Sequence, residues 1–489
     1  MAAASSPASA PTGRTLNPWI TLVVVCVAQF MVVLDATIVN VALPSIQRGL
    51  HFSRVDLQWV VNGYTLLFGG FLLLGGRAAD LLGRRRLFMV GITLFAVASA
   101  LNAFAQSSQV LIIGRALQGL GGALVSPAAL AILTTTFTNS SDRTKALSVW
   151  SGIAAGGAAV GLLLGGVLTD LLSWRWVFIV NLPVGLAALA AAIRFVPESH
   201  GSAERKTFDL AGAFSVTAGL VVLVFAIVKA QQYGWGSTRT LATMGIGFVL
   251  LGAFLVIERL STSPLVRLGI LRVRTLAAAN LALLFVAAGM FSMFYFASIY
   301  VQEVMLYSPL KAGLAFLPVS LGIGAGAAAA QQLIGRFDAR GVGVVGLSLA
   351  TAGMALLLRT TVHGDYLGQL LVGLLPMSIG MGLTFVPITL LATANIEGED
   401  AGLASGLYNT SQQVGGALGL AILATLAANR TSSLLSGGGV GQTAALMGGF
   451  HVAFAVGAGM LALAAVILTV MLRAQDVASL DLEAQPLVA

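Results

Sequence analysis

Two charged side chains lie inside long apolar runs of this sequence: Asp35, between Leu34 and Ala36, and Arg115, in the run that begins near Gln109. A carboxylate at membrane depth costs about 2.5–3.5 kcal/mol even on the lenient insertion scale, and folding does not require it. Such an acid suits reversible uptake of a proton or the holding of a cation. Arg115 needs a carboxylate, water or backbone carbonyls at the same depth, and Asp35 is the acid placed well inside a run of the same half. Helical spacing sets Arg115, Gln118, Gly119 and Gly122 on one face, polar at one end and flat at the other. Two readings are open: a structural ion pair, or a couple in which Arg115 favours the ionised form of Asp35 until a substrate or proton intervenes.

The elements that position these residues are membrane helices. The chain is 57% hydrophobic and 9% charged, with 58 glycines, against about 25% charged residues in soluble domains. Its mean hydropathy is +0.94. Fourteen apolar runs of about 20 residues read as spans, at 19–44, 57–81, 87–106, 109–135, 145–169, 175–196, 209–230, 239–258, 275–301, 309–334, 342–360, 366–394, 402–429 and 446–473. Glycine and proline blur the ends of the runs at 342–360 and 366–394. Residues 1–18 read as a disordered tail, 19–200 as a six-helix unit and 201–260 as an inserted helix pair with a polar lead-in. An interfacial linker at 261–274, a second six-helix unit at 275–473 and a tail at 474–489 complete the division.

Seventeen of the 26 Lys and Arg residues fall on the side of the N-terminus and eight on the other, with Arg115 within the membrane. The positive-inside rule then puts both termini in the cytoplasm, and the net charge of +8 follows from that asymmetry. No soluble stretch is long enough for a nucleic-acid-binding face. The single Cys26 excludes an intrachain disulfide. His51, His200, His363 and His451 lack metal-ligand spacing, and no Gly-Lys-Ser/Thr phosphate loop is present, so ATP is not expected to drive the protein. No enzyme signature, metal site or cofactor site is found.

Four further patterns carry information. Gly76 to Arg86 closes the second span with Gly76, Asp80, Gly83, Arg84 and Arg85; Asp80 at a helix C-terminus needs one of the arginines or a helix N-terminus, which suggests a gating latch. Gly335 to Gly341 echoes this loop in the second half. Gly157, Gly161 and Gly165, with Gly166 beside them, let two helices approach closely. Gly402, Ser405, Asn409, Gln412, Gly416 and Gly419 form a small and amide stripe, suited equally to close packing or to a wet cavity wall. Asn40, Trp59, Asn62, Tyr64, Gln118, Tyr295, Asn409 and Gln412 are the candidates for a substrate pocket, and Phe291, Phe294, Phe296 and Tyr300 could add aromatic walls. Lipid-facing aromatics are as common in such spans. Trp174 and Trp176 suit an interfacial belt, and Asp209 an N-cap.

The loop at Gly76–Arg86 resembles the signature between the second and third helices of the major facilitator superfamily, and Arg115–Gly122 that superfamily's fourth-helix motif. Leu34–Pro44 and Ser173–Pro183 resemble the fourteen-span drug:proton antiporter branch. This resemblance implies two six-helix bundles in a pseudo-twofold arrangement plus an inserted pair, alternating access, and proton-driven export of lipophilic or cationic compounds. The branch carries proline after the second glycine of the fifth-span row; here the residue is Leu162, which puts a proline-dependent bend in doubt. The tenth span lacks the second acid of some relatives, which argues against doubly charged substrates.

Proton-coupled efflux of drugs or antibiotics across the bacterial cytoplasmic membrane, by a monomer without cofactor, is the reading that results. Asp35 and Arg115 would couple the proton. A solute importer or metabolite exporter on the same fold and a non-transporting membrane sensor are the alternatives. The Arg-rich, Ala- and Gly-heavy composition suits a GC-rich bacterial genome.

Overall fold

The computed structural model describes residues 17–199, 209–262, 264–394, 396, 400–473 and 476, and these are helical without a strand. The segments at 1–16 and 477–489 and most of the lead-in at 200–208 lie outside the described residues. The first helices are α1 (Pro18–Leu50), α2 (Trp59–Leu82), α3 (Arg84–Ala103), α4 (Ser108–Thr136) and α5 (Ser140–Leu171). A short α6 (Trp176–Ile179) runs into α7 (Asn181–Phe195), and α8 (Leu210–Tyr233) and α9 (Thr238–Leu260) form a hairpin. Then follow α10 (Arg274–Ile299), α11 (Pro309–Ala315), α12 (Leu317–Ile334) and α13 (Ala339–Leu356). The last are α14 (Leu371–Thr393), α15 (Asp400–Ser436) and α16 (Gln442–Met471).

Among the described residues thirteen helical segments are long and apolar enough to cross a membrane. They match thirteen of the fourteen runs. The run at 145–169 falls in α5, whose described apolar part, Gly156–Leu171, is shorter than a crossing. The protein is therefore an all-helical, multi-pass membrane protein.

Polar residues start the helices where orphan N–H groups need acceptors. Asn17 accepts from Trp19, Ser107 from Val110, and Asp209 from Gly212 at 2.7 Å, the cap expected of it. Gly83 separates α2 from α3 at φ 104°, a conformation that side chains with a Cβ avoid. The linker residues Val266 and Ile270 are buried, whereas Leu271 is exposed.

Helices α1–α7 pack mainly on one another, and α10 and α12–α16 do the same, while the short α11 lies against α5. The α8–α9 hairpin joins them through α8, which lies against α2 and α15. The ends of the helices define two faces: a terminal end, where Pro18 and Met471 lie, and a far end with the α1–α2 connection. Glycines permit the closest approaches. A Cβ at Gly165 would sit 2.6 Å from the Ile38 carbonyl, and Gly157 and Gly161 likewise face α1 at Val33 and Thr37. Gly166 turns instead to α11, where its Cβ would meet the Pro309 carbonyl at 2.7 Å. Leu162 is buried, and its carbonyl faces Gly313 of α11.

Pro44 inside α1 has no N–H, so the Asn40 carbonyl loses its partner one turn later. The Ser298 hydroxyl of α10 donates to that carbonyl at 2.7 Å, and the Gln302 amide donates to the Val41 carbonyl at 2.9 Å. Further ties at the far end join Ser308 to Asp170 (3.0 Å) and Arg54 to Glu303 (2.9 Å).

Candidate functional site

Asp35 and Arg115 meet. α1 and α4 bring them together in the interior, with Asp35 fully buried and Arg115 2% exposed. An Arg115 Nη1–H donates to Asp35 Oδ2. Its Nε–H donates to the Val60 carbonyl of α2 at 2.9 Å, and Nη1 reaches Gln118 Oε1 at the same distance. The guanidinium also lies 4.5 Å from the Tyr64 ring centroid and 6.0 Å from that of Phe178, a cation–π arrangement that is strongest out of water. Gly63 makes room for the arginine stem on α2.

The other carboxylate oxygen is held by Gln118, already aligned with Arg115 by helical spacing, and by Asn181, which the sequence reading missed. Asp35 Oδ1 accepts from Gln118 Nε2 at 2.9 Å and from Asn181 Nδ2 of α7 at 2.8 Å. Gln118 and Asn181 both donate to Ser99 of α3, at 2.7 and 3.4 Å, and Asn102 donates to Gln118 Oε1. Asp35 is thus an acceptor-only centre satisfied by one cation and two amides. Ser99 and Asn102 stand three apart on α3, which helical spacing could have signalled, and Asn181 lies in the motif around Ser173–Pro183. Asn102 Oδ1, Asn181 Oδ1 and the Tyr64 hydroxyl are buried without a hydrogen-bond partner, so the cluster keeps polar capacity beyond the bonds it makes.

The remaining pocket candidates are spread over several helices. Tyr64 and Gln118 belong to the Asp35 cluster. Trp59 packs toward α8, its ring 6.5 Å from Phe225. Asn62 is fully buried with both amide atoms unpartnered. Tyr295 crosses Phe296 at 5.3 Å, and Phe296 and Tyr300 pack on Phe450 of α16, because small residues of α15 seat α10 deep in the interior. Gly415, Gly416 and Gly419 make that fit against Leu284, Phe291 and Ala288. One turn nearer the terminal end the same stripe leaves Asn409 exposed, donating to Ser405 O, with Gln412 half-buried beside it. Asn40 is half-buried one turn beyond the exposed Ala36 of α1. Trp174 is buried against Phe178, while Trp176 is exposed.

At the terminal end Asp80 pairs with Arg84 at 2.8 Å. Glu198, absent from the sequence reading, clamps the loop from the segment after α7. It accepts from the Arg85 N–H at 3.1 Å and lies 3.9 Å from the Arg86 guanidinium. An anion at the start of α3 satisfies orphan N–H groups and suits the helix dipole. Gly76 faces Pro127 of α4, and Arg85 Nη2 donates to the Ile193 carbonyl.

Comparison with known proteins now decides the family. The model of the Major Facilitator Superfamily matches residues 25–420. The chain belongs to the major facilitator superfamily. It is 41% identical to the puromycin resistance protein of Streptomyces alboniger, over 94% of this chain and 92% of that protein. It is 37% identical to the cephamycin export protein of Amycolatopsis lactamdurans, over 95% and 94% respectively. Among solved structures, a bacterial homologue of the lysosomal transporter Spinster aligns with TM-score 0.64 at 15% identity, covering 98% of this chain and 100% of that one. A peptide transporter of the same general architecture aligns at TM-score 0.67 and 17% identity, over 92% and 97%; both show the shared fold. This superfamily member is a membrane transporter, and its curated relatives are antibiotic resistance and export proteins.

Proposed function

We propose that the protein is a proton-coupled exporter of lipophilic or cationic antibiotics, with Asp35 as the proton carrier and Arg115 as its counter-ion. The observation that carries this is the buried cluster itself. A carboxylate removed from water and held by a guanidinium and two amides is tied to the helices that bear those donors. That links proton movement to rearrangement among α1, α4 and α7. The resistance and export functions of the relatives support the substrate class.

The architecture proposed is fourteen spans in two six-helix units with α8 and α9 inserted, α5 being the fourteenth. Its helix is 32 residues long, about 48 Å at 1.5 Å per residue, against a hydrocarbon core of about 30 Å. The surplus of Lys and Arg supports a cytoplasmic position for the terminal end in a bacterial inner membrane, with the protein working as a monomer. The far-end ties of α10 and α11 to α1 and α5 then correspond to a state closed to the outside. In the cycle, Asp35 takes a proton and substrate leaves while the protein opens outward; the proton departs to the cytoplasm and substrate binds while it opens inward. One proton crossing 100 mV supplies about 2.3 kcal/mol, enough for a gradient of about fiftyfold at 1.4 kcal/mol per decade. An uncoupler is expected to raise ethidium accumulation in expressing cells, and Asp35→Asn to raise it to the same level. Unaltered accumulation in both tests contradicts the reading.

A further inference from the structure

At the far end a cavity of about 540 Å³ opens between the α1–α2 connection, the last turns of α8, α10 and α15, and the first turns of α16. That volume falls in the range of small-molecule sites, about 300–1,000 Å³. Its floor is aromatic, formed by Tyr295, Phe296 and Phe450, with the last two rings 5.8 Å apart. Its wall carries four primary amides, Gln47, Gln231, Gln232 and Gln442. Gln232 and Gln442 each offer two donors and an acceptor, while Gln47 and Gln231 already donate once, to the Phe52 carbonyl and to Ser432, both at 3.5 Å. The charged side chains at the cavity are already engaged: Lys229 with Asp56 at 3.2 Å, and Arg54 with Glu303 at 2.9 Å. A ligand cation would therefore meet two cations and no free acid among the described lining residues.

α8 supplies one wall, through Val228–Gln232, and is fastened to α15 by Thr425 to the Ile227 carbonyl (3.3 Å) and Gln231 to Ser432 (3.5 Å). None of these residues belongs to the Asp35 cluster. We propose that this vestibule is a second binding site, completed by α8, for an aromatic molecule with neutral hydroxyl, carbonyl or amide groups. Ring faces stack on the aromatic floor, and the amides match the polar substituents. Its place on the release side of the membrane rests on the export reading; the binding chemistry does not.

The test uses the full chain in intact cells. The native Cys26 is 4% exposed, so Ser432→Cys introduces a single accessible thiol at the cavity. Gly236→Cys, in the α8–α9 turn with open space around it, is the reference at the same end. Labelling by a membrane-impermeant maleimide is followed with chloramphenicol as the neutral aromatic probe and tetraphenylphosphonium as the cationic one. Chloramphenicol is expected to slow labelling several-fold at position 432 and not at 236, and Ala428→Trp, which fills the cavity, is expected to remove that protection. Equal labelling rates with and without chloramphenicol overturn the site, and equal protection by tetraphenylphosphonium overturns its preference for neutral ligands. No labelling at position 432 overturns its placement on the release side. Protection by chloramphenicol in cells that do not export it supports the site and counts against the export reading alone.

Discussion

Asp35 accepts hydrogen bonds from Arg115, Gln118 and Asn181, side chains of α4 and α7, with no exposure to solvent. Removing one member of a buried ion pair strands the other, at a cost of about 3–5 kcal/mol. Arg115→Ala is therefore expected to lower thermal stability in detergent by about that amount, and Arg115→Ala combined with Asp35→Asn to recover much of the loss. Additive losses in that cycle would show that the pair is not coupled. Asn181→Ala tests the amide. It holds Asp35 Oδ1 at 2.8 Å, so its loss is expected to weaken drug–proton exchange; unchanged exchange removes Asn181 from the coupling. The charged pair and Gln118 were legible in the sequence, because charge in an apolar run is rare and helical spacing aligns Arg115 with Gln118. Ser99, Asn102, Asn181 and Glu198 were not. Neutral polar residues are ordinary in glycine-rich spans, and their role appears only when separate helices converge.

Helix α1 carries both Asp35 and, about one and a half turns on, the carbonyl that Pro44 leaves without a partner. Ser298 of α10 supplies the missing donor, so a local defect in one helix becomes a tie to another. Ser298→Ala strands a buried carbonyl at about 1–3 kcal/mol, and the far end should then open more readily, read as faster labelling of a thiol at position 40. In a Pro44→Ala background the N–H returns, the Asn40 carbonyl regains its own helix, and Ser298→Ala should have little effect. If Ser298→Ala accelerates labelling equally in both backgrounds, the tie does not act through that carbonyl. The glycine row of α5 could be read ahead of the structure as a face suited to close packing, since four-residue spacing sets the glycines on one side of a helix. The tie of Ser298 to the Asn40 carbonyl could not, because its halves lie 258 positions apart.

At the scale of the whole molecule, hydropathy alone located thirteen of the crossing segments, because the bilayer demands long apolar helices with internally satisfied backbones. Hydropathy says nothing about which sides face one another. The aromatic residues of α10, plausible as a drug pocket from composition, pack on α16, and Tyr295 and Phe296 among them line the far-end cavity beside α8. The account depends on Asp35 exchanging a proton as drug moves. Proton flux provoked by adding ethidium to proteoliposomes, without an imposed gradient, tests this most directly. The wild-type protein should move protons opposite to the drug, and Asp35→Asn, shown to be folded by its binding of ethidium, should not move any. Equal proton flux from both proteins would contradict it.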